Sequence, residues 1–247
     1  MQIVTDTHTH TVASGHAYSS LQENIAAAKQ TGLKLMAMTD HASTMPGAPH
    51  YWHFENLKVI PRVVDGVGVL RGIEANILNP EGELDITESL AQRLDVVIAS
   101  FHEPLFKPGD AATHSKALLA VIKGGKADIL GHLGNPNFPF DIDTVVAAAA
   151  EHKVMIEINN SSFAGSRQGS DVNCEKILLA AKRLGALLSF GSDAHISYQV
   201  GRFPHALALA QKHDFPAERL VSTRAERLLD ALAARGKQLH QHYQEVL

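Results

Sequence analysis

Histidine is crowded, and spaced, near the start of the chain. His8, His10 and His16 all fall within "THTHTVASGH". Further residues of metal-ligating type follow: His41 in "TDH", Glu74 in "GIEANI", His102 in "SFHEP", His132 in "GHLGNP", and Asp193 and His195 in "GSDAH". Imidazole and carboxylate together suit borderline divalent ions such as zinc, manganese and iron better than magnesium or calcium. On a strand, residues i and i+2 point the same way, so His8-x-His10 and Asp193-x-His195 each present a donor pair to one side. His16 can fold back from the loop that follows. Nine donors exceed the four of one tetrahedral zinc; they suit two or three ions, with a carboxylate such as Glu74 shared by a pair. The only cysteine is Cys174, which excludes an intrachain disulfide and a cysteine-based zinc site.

Something must bring these residues together. Each lies at or just beyond the end of a short apolar run. The runs are 2–8, 34–41, 66–77, 95–102, 127–134, 154–161 and 187–195. They are nearly continuous in apolar character, as expected of parallel strands buried on both faces. Amphipathic segments lie between and after them, at 20–32, 87–94, 113–125, 141–152, 171–185, 204–213 and 224–236, several closed by glycine. The steps from His8 to His41, Glu74, His102 and His132 are 33, 33, 28 and 30 residues, one βα unit each. Seven such units imply a closed or nearly closed barrel, whose strand C-termini converge on one mouth. An open doubly wound sheet is the alternative, but no glycine-rich phosphate fingerprint follows the first strand. The whole chain, 1–247, reads as one domain, with 42–65 as a long loop over one end of the barrel.

Composition narrows the function classes. The chain has 247 residues, 45% of them apolar, and a net charge of −4. That is enough apolar material for a sizeable core and too little positive charge for a non-specific nucleic-acid binder. No signal peptide or membrane-length apolar run is apparent, so the expectation is a cytoplasmic protein with no membrane partner. His114, His152, His205, His213, His240 and His242 fall on helices or the tail and read as solvated, while His50 and His53 either line the mouth or pack beside Trp52. Asp6 and Asp40 are placed to orient ligand imidazoles.

In order and spacing, "THTHT", "TDH", "GIEANI", "SFHEP", "GHLGNP", "EINNSSF" and "GSDAH" resemble the PHP (polymerase and histidinol phosphatase) superfamily, closest to its YcdX-type stand-alone bacterial phosphatases. The resemblance implies a distorted TIM-like (β/α)7 barrel and three divalent metal ions, usually zinc; the histidine-rich donor set leaves manganese or iron as alternatives. By position, His8, His10, Glu74 and Asp193 would hold the first, Glu74, His102 and His132 the second, and His16, His41 and His195 the third. It implies a metal-dependent phosphatase that hydrolyses phosphomonoesters by attack of a hydroxide bridging two ions, with Glu74 and Asp193 as the catalytic carboxylates. It also implies a homotrimer. Arg167, Asn160 and Ser161, in the loop after the sixth run, are candidates for receiving phosphate oxygens, because a planar guanidinium can bind two at once. The expected partner is a small phosphorylated substrate.

Three other readings compete. A PHP-type nuclease or phosphodiesterase would take short oligonucleotides. An amidohydrolase-like C–N hydrolase also begins with HxH, but would leave His16 and His41 idle. A regulatory domain with a relic site would lack a ligand, and none is missing.

Overall fold

Period-two alternation along the strands decides which side chains face the barrel axis. The computed structural model describes residues 1–163 and 167–247. Strands β1 (Thr5–Thr9), β2 (Leu35–Met38), β3 (Val63–Val64), β4 (Val67–Asn76), β5 (Val96–Ser100), β6 (Ile129–Leu130), β7 (Met155–Asn159) and β8 (Leu188–Gly191) form one sheet in the order β1-β2-β4-β5-β6-β7-β8. All neighbours on that path are parallel, and β3 pairs antiparallel with β4 through the Asp65–Gly66 turn. Beyond β8 the chain closes against β1: Asp193 N donates to His8 O at 2.9 Å and His10 N donates to Ala194 O at 2.9 Å. The architecture is a distorted TIM-like α/β barrel.

Helices α1 (Leu21–Thr31), α2 (Trp52–Glu55), α3 (Glu88–Arg93), α4 (Ala111–Gly124), α5 (Ile142–Glu151), α6 (Ser170–Leu184), α7 (Pro204–Lys212) and α8 (Ala225–Ala233) complete the fold. Their starts are fixed locally. Ser20 and Glu23 form a capping box on α1, and Thr87, Asp110 and Asp141 each accept a backbone N–H at the starts of α3, α4 and α5. The expected loop at 42–65 contains α2, a 3-10 turn at Leu57–Val59 and β3. Among the described residues no helix is long and apolar enough to cross a membrane.

Two apolar clusters divide the interior. Met36, Met38, Val69, Val97 and Ile156 face outward and pack under the helices. Leu35, Ala37, Leu70, Val96, Ile98, Ile129 and Met155 pack instead with α8, Leu239, Tyr243 and Val246. The C-terminal segment therefore plugs one end of the barrel. Continuing the inward register gives His41 from Ala37, Glu74 from Leu70, His102 from Ile98 and Glu157 from Met155. One barrel lumen is thus apolar at one end and polar at the other.

Tyr243 anchors the plug. It is fully buried, with its hydroxyl 2.9 Å from Val69 O and 3.0 Å from Asp95 Oδ2. Arg62 donates to the same hydroxyl at 3.0 Å and pairs with Asp95. Tyr243→Phe keeps the ring and strips Asp95 and Arg62 of a partner. It is expected to cost about 1–3 kcal/mol in urea unfolding, the range for leaving buried polar groups unsatisfied. Metal content should not change, because the plug lies at the far end.

Candidate metal centre

The polar end of the lumen gathers nearly every residue singled out above. His8, His10, His41, Glu74, His102, His132 and Asp193 are buried, His195 is half-buried and His16 is exposed. Three groups of donors lie close enough to hold a cation: His8, His10 and Asp193; His41, Glu74 and His102; and His10, His41 and His195. A cavity of about 310 Å³ opens over them, lined also by Arg167, Glu103 and Asn135.

Glu74 is central because its two oxygens face different imidazoles. Oε2 lies 3.4 Å from His8 Nε2, 3.6 Å from His10 Nε2 and 2.7 Å from His41 Nδ1. Oε1 lies 2.9 Å from His132 Nε2 and 3.3 Å from His102 Nε2. On the first side, Asp193 Oδ1 is 3.6 Å from His8 Nε2 and 3.2 Å from His10 Nε2, which are themselves 3.1 Å apart. Donors about 2.05 Å from a tetrahedral zinc would be about 3.3 Å from one another. On the outer side His16 and His195 face each other, Nε2 to Nε2, at 2.9 Å.

The far nitrogens of these rings set their tautomers. His8 Nδ1 donates to Glu157 Oε1 at 2.8 Å, His102 Nδ1 to Asn76 Oδ1 at 2.6 Å and His195 Nδ1 to Asp193 O at 2.9 Å. His10 Nδ1 donates to Ser14 Oγ at 3.0 Å, and the Ser14 hydroxyl in turn donates to Asp40 Oδ1 at 2.7 Å. With Nδ1 protonated, each Nε2 turns a lone pair inward. Lone pairs facing one another at about 3 Å, as between His8 and His10, need positive charge between them. Glu74 Oε2 and His41 Nδ1 are close yet buried without a hydrogen-bond partner of proper geometry. The residues present therefore fit a divalent cation.

Charge and backbone support the same use. Burial opposes ionisation of Glu74, but His8, His41 and His102 hold its carboxyl well below the usual range. Burial likewise opposes ionisation of Asp193, and the Arg167 guanidinium foremost outweighs it. Burial pushes the His10 imidazole down to about 3, so that ring is neutral and able to ligate. His132 and Asp193 both have positive φ, 28° and 55°. Such strain persists only where surrounding contacts hold it. Here His132 N donates to Glu157 Oε2 at 2.7 Å and Asp193 N to His8 O.

Several side chains fall elsewhere than expected. Asp6 does not reach an imidazole; it accepts from the backbone N–H groups of His8, Ser192 and Gly201, and burial raises its carboxyl to about 6. Asn160 Oδ1 accepts from His205 N and Ala206 N at the start of α7, and Ser161 Oγ donates to Ser192 O, so both are occupied in holding the loop. Arg167 lines the cavity and donates to Asp193. Residues 164–166 of that loop lie outside the described residues. His53 reaches Asp40 Oδ2 at 3.1 Å, whereas His50 is exposed. His114 is not solvated: it is fully buried, donating to Pro139 O and accepting from Gly109 N.

Two supports were missed in the sequence. Glu157 stands as a lone carboxylate at an inward position of an apolar strand, and that isolation was the signal. Asp85 accepts from Asn76 N at 2.7 Å and Asn76 Nδ2 at 2.6 Å, fixing the amide that orients His102. Asn76→Ala should let His102 rotate. The expected result is about a 10–100-fold weaker affinity for one metal equivalent, read by chelator competition.

A (βα) barrel with imidazoles and carboxylates gathered at its mouth defines a metal-dependent hydrolase architecture. Residues 6–164 match the PHP domain model. A probable phosphatase of Shewanella sp. (strain MR-4) is 54% identical over 236 residues, covering 96% of this chain and 94% of the relative. A probable phosphatase of Aliivibrio fischeri (strain ATCC 700601 / ES114) is 53% identical, covering 96% of each. The histidinol phosphate phosphatase of Lactococcus lactis, solved with zinc, L-histidinol and phosphate, shares the fold with a TM-score of 0.61 at 18% identity, over 87% of this chain and 95% of that one. The chain belongs to the PHP domain family.

Proposed function

We infer that the protein is a phosphatase that hydrolyses phosphomonoesters at a centre of three divalent ions, zinc being the first choice. The observation that carries this reading is the division of Glu74, one oxygen toward His8, His10 and His41 and the other toward His102 and His132. His8, His10, Glu74 and Asp193 would hold one ion, Glu74, His102 and His132 a second, and His16, His41 and His195 a third. The relatives named probable phosphatases and the phosphate in the Lactococcus enzyme support the substrate class. Divalent ions bound there supply Lewis-acid polarisation of a phosphoryl group and a nucleophile at neutral pH.

The chain's own residues do the positioning. Glu157, Ser14 and Asn76 hold the imidazoles in one tautomer, so no reorganisation is needed when substrate arrives. Arg167 presents a guanidinium at the cavity wall, where its fork matches two phosphoryl oxygens. Asp193 pairs with it and fixes its reach. Asn160 and Ser161 hold the loop that carries it.

The test is phosphate release from p-nitrophenyl phosphate, beside elemental analysis. About three ions per chain are expected, with activity abolished by a chelator and restored by zinc, manganese or iron. Cleavage confined to bis(p-nitrophenyl) phosphate or single-stranded DNA would favour the nuclease reading. Hydrolysis that survives complete metal removal would overturn both.

A further inference from the structure

Acidic side chains at a phosphate-binding mouth need a reason, because a dianionic substrate is repelled by them. Three line the cavity: Glu74, Asp193 and Glu103. Glu74 and Asp193 are buried among the imidazoles, as described. Glu103 belongs to neither group. It is exposed, and it is held in place from both ends. The turn after His102 fixes its backbone, with Leu105 N and Phe106 N both donating to His102 O at 3.0 and 2.9 Å. The amides of Asn135 and Asn137 fix its side chain, both donating to Oε1 at 3.1 and 3.0 Å. Neither amide takes Oε2. A carboxylate only accepts hydrogen bonds, so an oriented one at a pocket wall selects a donor.

Its neighbours indicate what kind of molecule reaches it. Phe101 and Met45 line the same cavity and supply apolar wall beside the imidazoles. Phe101 is itself held by Phe106 and Phe138, with ring centroids 4.7 and 4.9 Å away. The phosphoryl group belongs at the imidazole cluster beside Arg167, leaving the ester's other half against Phe101, Met45 and Glu103.

We propose that Glu103 is a specificity-determining residue: it selects phosphomonoesters whose leaving group carries a hydrogen-bond donor, a protonated amine above all, beyond a short apolar stem, and it rejects those carrying a second anion. This rests on the phosphatase reading and names its substrate class.

The test uses the metal-loaded full chain and four series of straight-chain phosphate monoesters, two to six carbons long, ending in amine, hydroxyl, methyl or carboxylate. At the best length, kcat/KM should run amine, then hydroxyl, then methyl, then carboxylate, with amine over carboxylate at least tenfold. In Glu103→Gln that ratio should fall about tenfold, mostly through KM, and in Glu103→Lys it should invert. A ratio within one variant does not depend on how much of it is folded or metal-loaded. Release from all four series without preference, or an unchanged ratio in both variants, overturns the proposal and leaves the phosphatase reading standing. No release from any series overturns both.

Discussion

Glu74→Gln is expected to strip the centre of at least one ion per chain and to lower phosphate release by on the order of 10³-fold or more, corresponding to several kcal/mol of lost charge stabilisation. Glutamine matches glutamate in shape, so packing around position 74 survives. The charge does not, and one oxygen becomes an NH₂ that turns hydrogens toward His8 and His10 or toward His102 and His132. Either way one group of inward lone pairs loses its anionic partner. Elemental analysis and p-nitrophenyl phosphate assays check the outcome, and a melting temperature measured in chelator separates it from misfolding. Full metal content with a rate within threefold of the parent would remove Glu74 from the centre of the argument.

The second large effect is expected at Gly191. A Cβ there would lie 2.0 Å from Glu157 Oε1 and 2.6 Å from His8 Cβ. Glu157 cannot simply swing aside, since it holds His8 Nδ1, His132 N and the Asn159 amide at once. Gly191→Ala must therefore either shift β8 or break those bonds. Overpacking of about 1–3 kcal/mol adds to the loss of a buried network. About 3 kcal/mol or more is expected in chelator-treated protein, together with weakened metal retention. Glu157→Ala removes the obstructing oxygen. The double variant should thus be more stable than the sum of the two single changes predicts, and a strictly additive cycle would disprove the clash.

Much of the candidate site was legible because residue types able to ligate a metal stand out at the ends of apolar runs. The steps of 28 to 33 residues between His8, His41, Glu74, His102 and His132 match one βα unit, so spacing together with the apolar runs places these residues at successive strand ends. Helix ends were legible to within two or three residues for α1, α3, α4, α5 and α6, because serine, threonine, aspartate and glycine mark them locally. The supporting groups were harder. Asp40 looked like a neighbour of His41, yet it serves His10 through Ser14, a relation that exists only once β1 and β2 pair. Asn160 looked like a phosphate ligand by its place in a mouth loop. It caps α7 instead, 45 residues away in sequence. His114 sits on a helix, but the helix face it occupies is covered by Phe101, Phe106 and Phe138. The tail 239–246 carries no strong periodicity, and only the barrel's open end explains why Tyr243 is buried.

The seam between β1 and the segment after β8 has a consequence for biosynthesis. His8 and His10 leave the ribosome nearly two hundred residues before Asp193 and His195. Until the latter emerge, β1 can pair with β2 but lacks the segment after β8 that closes its other edge. An ion held as proposed by His8, His10 and Asp193 would therefore be captured late in synthesis, and it would tie the first strand to the segment after the last. A chain released early would carry most of the histidines and still lack the lock.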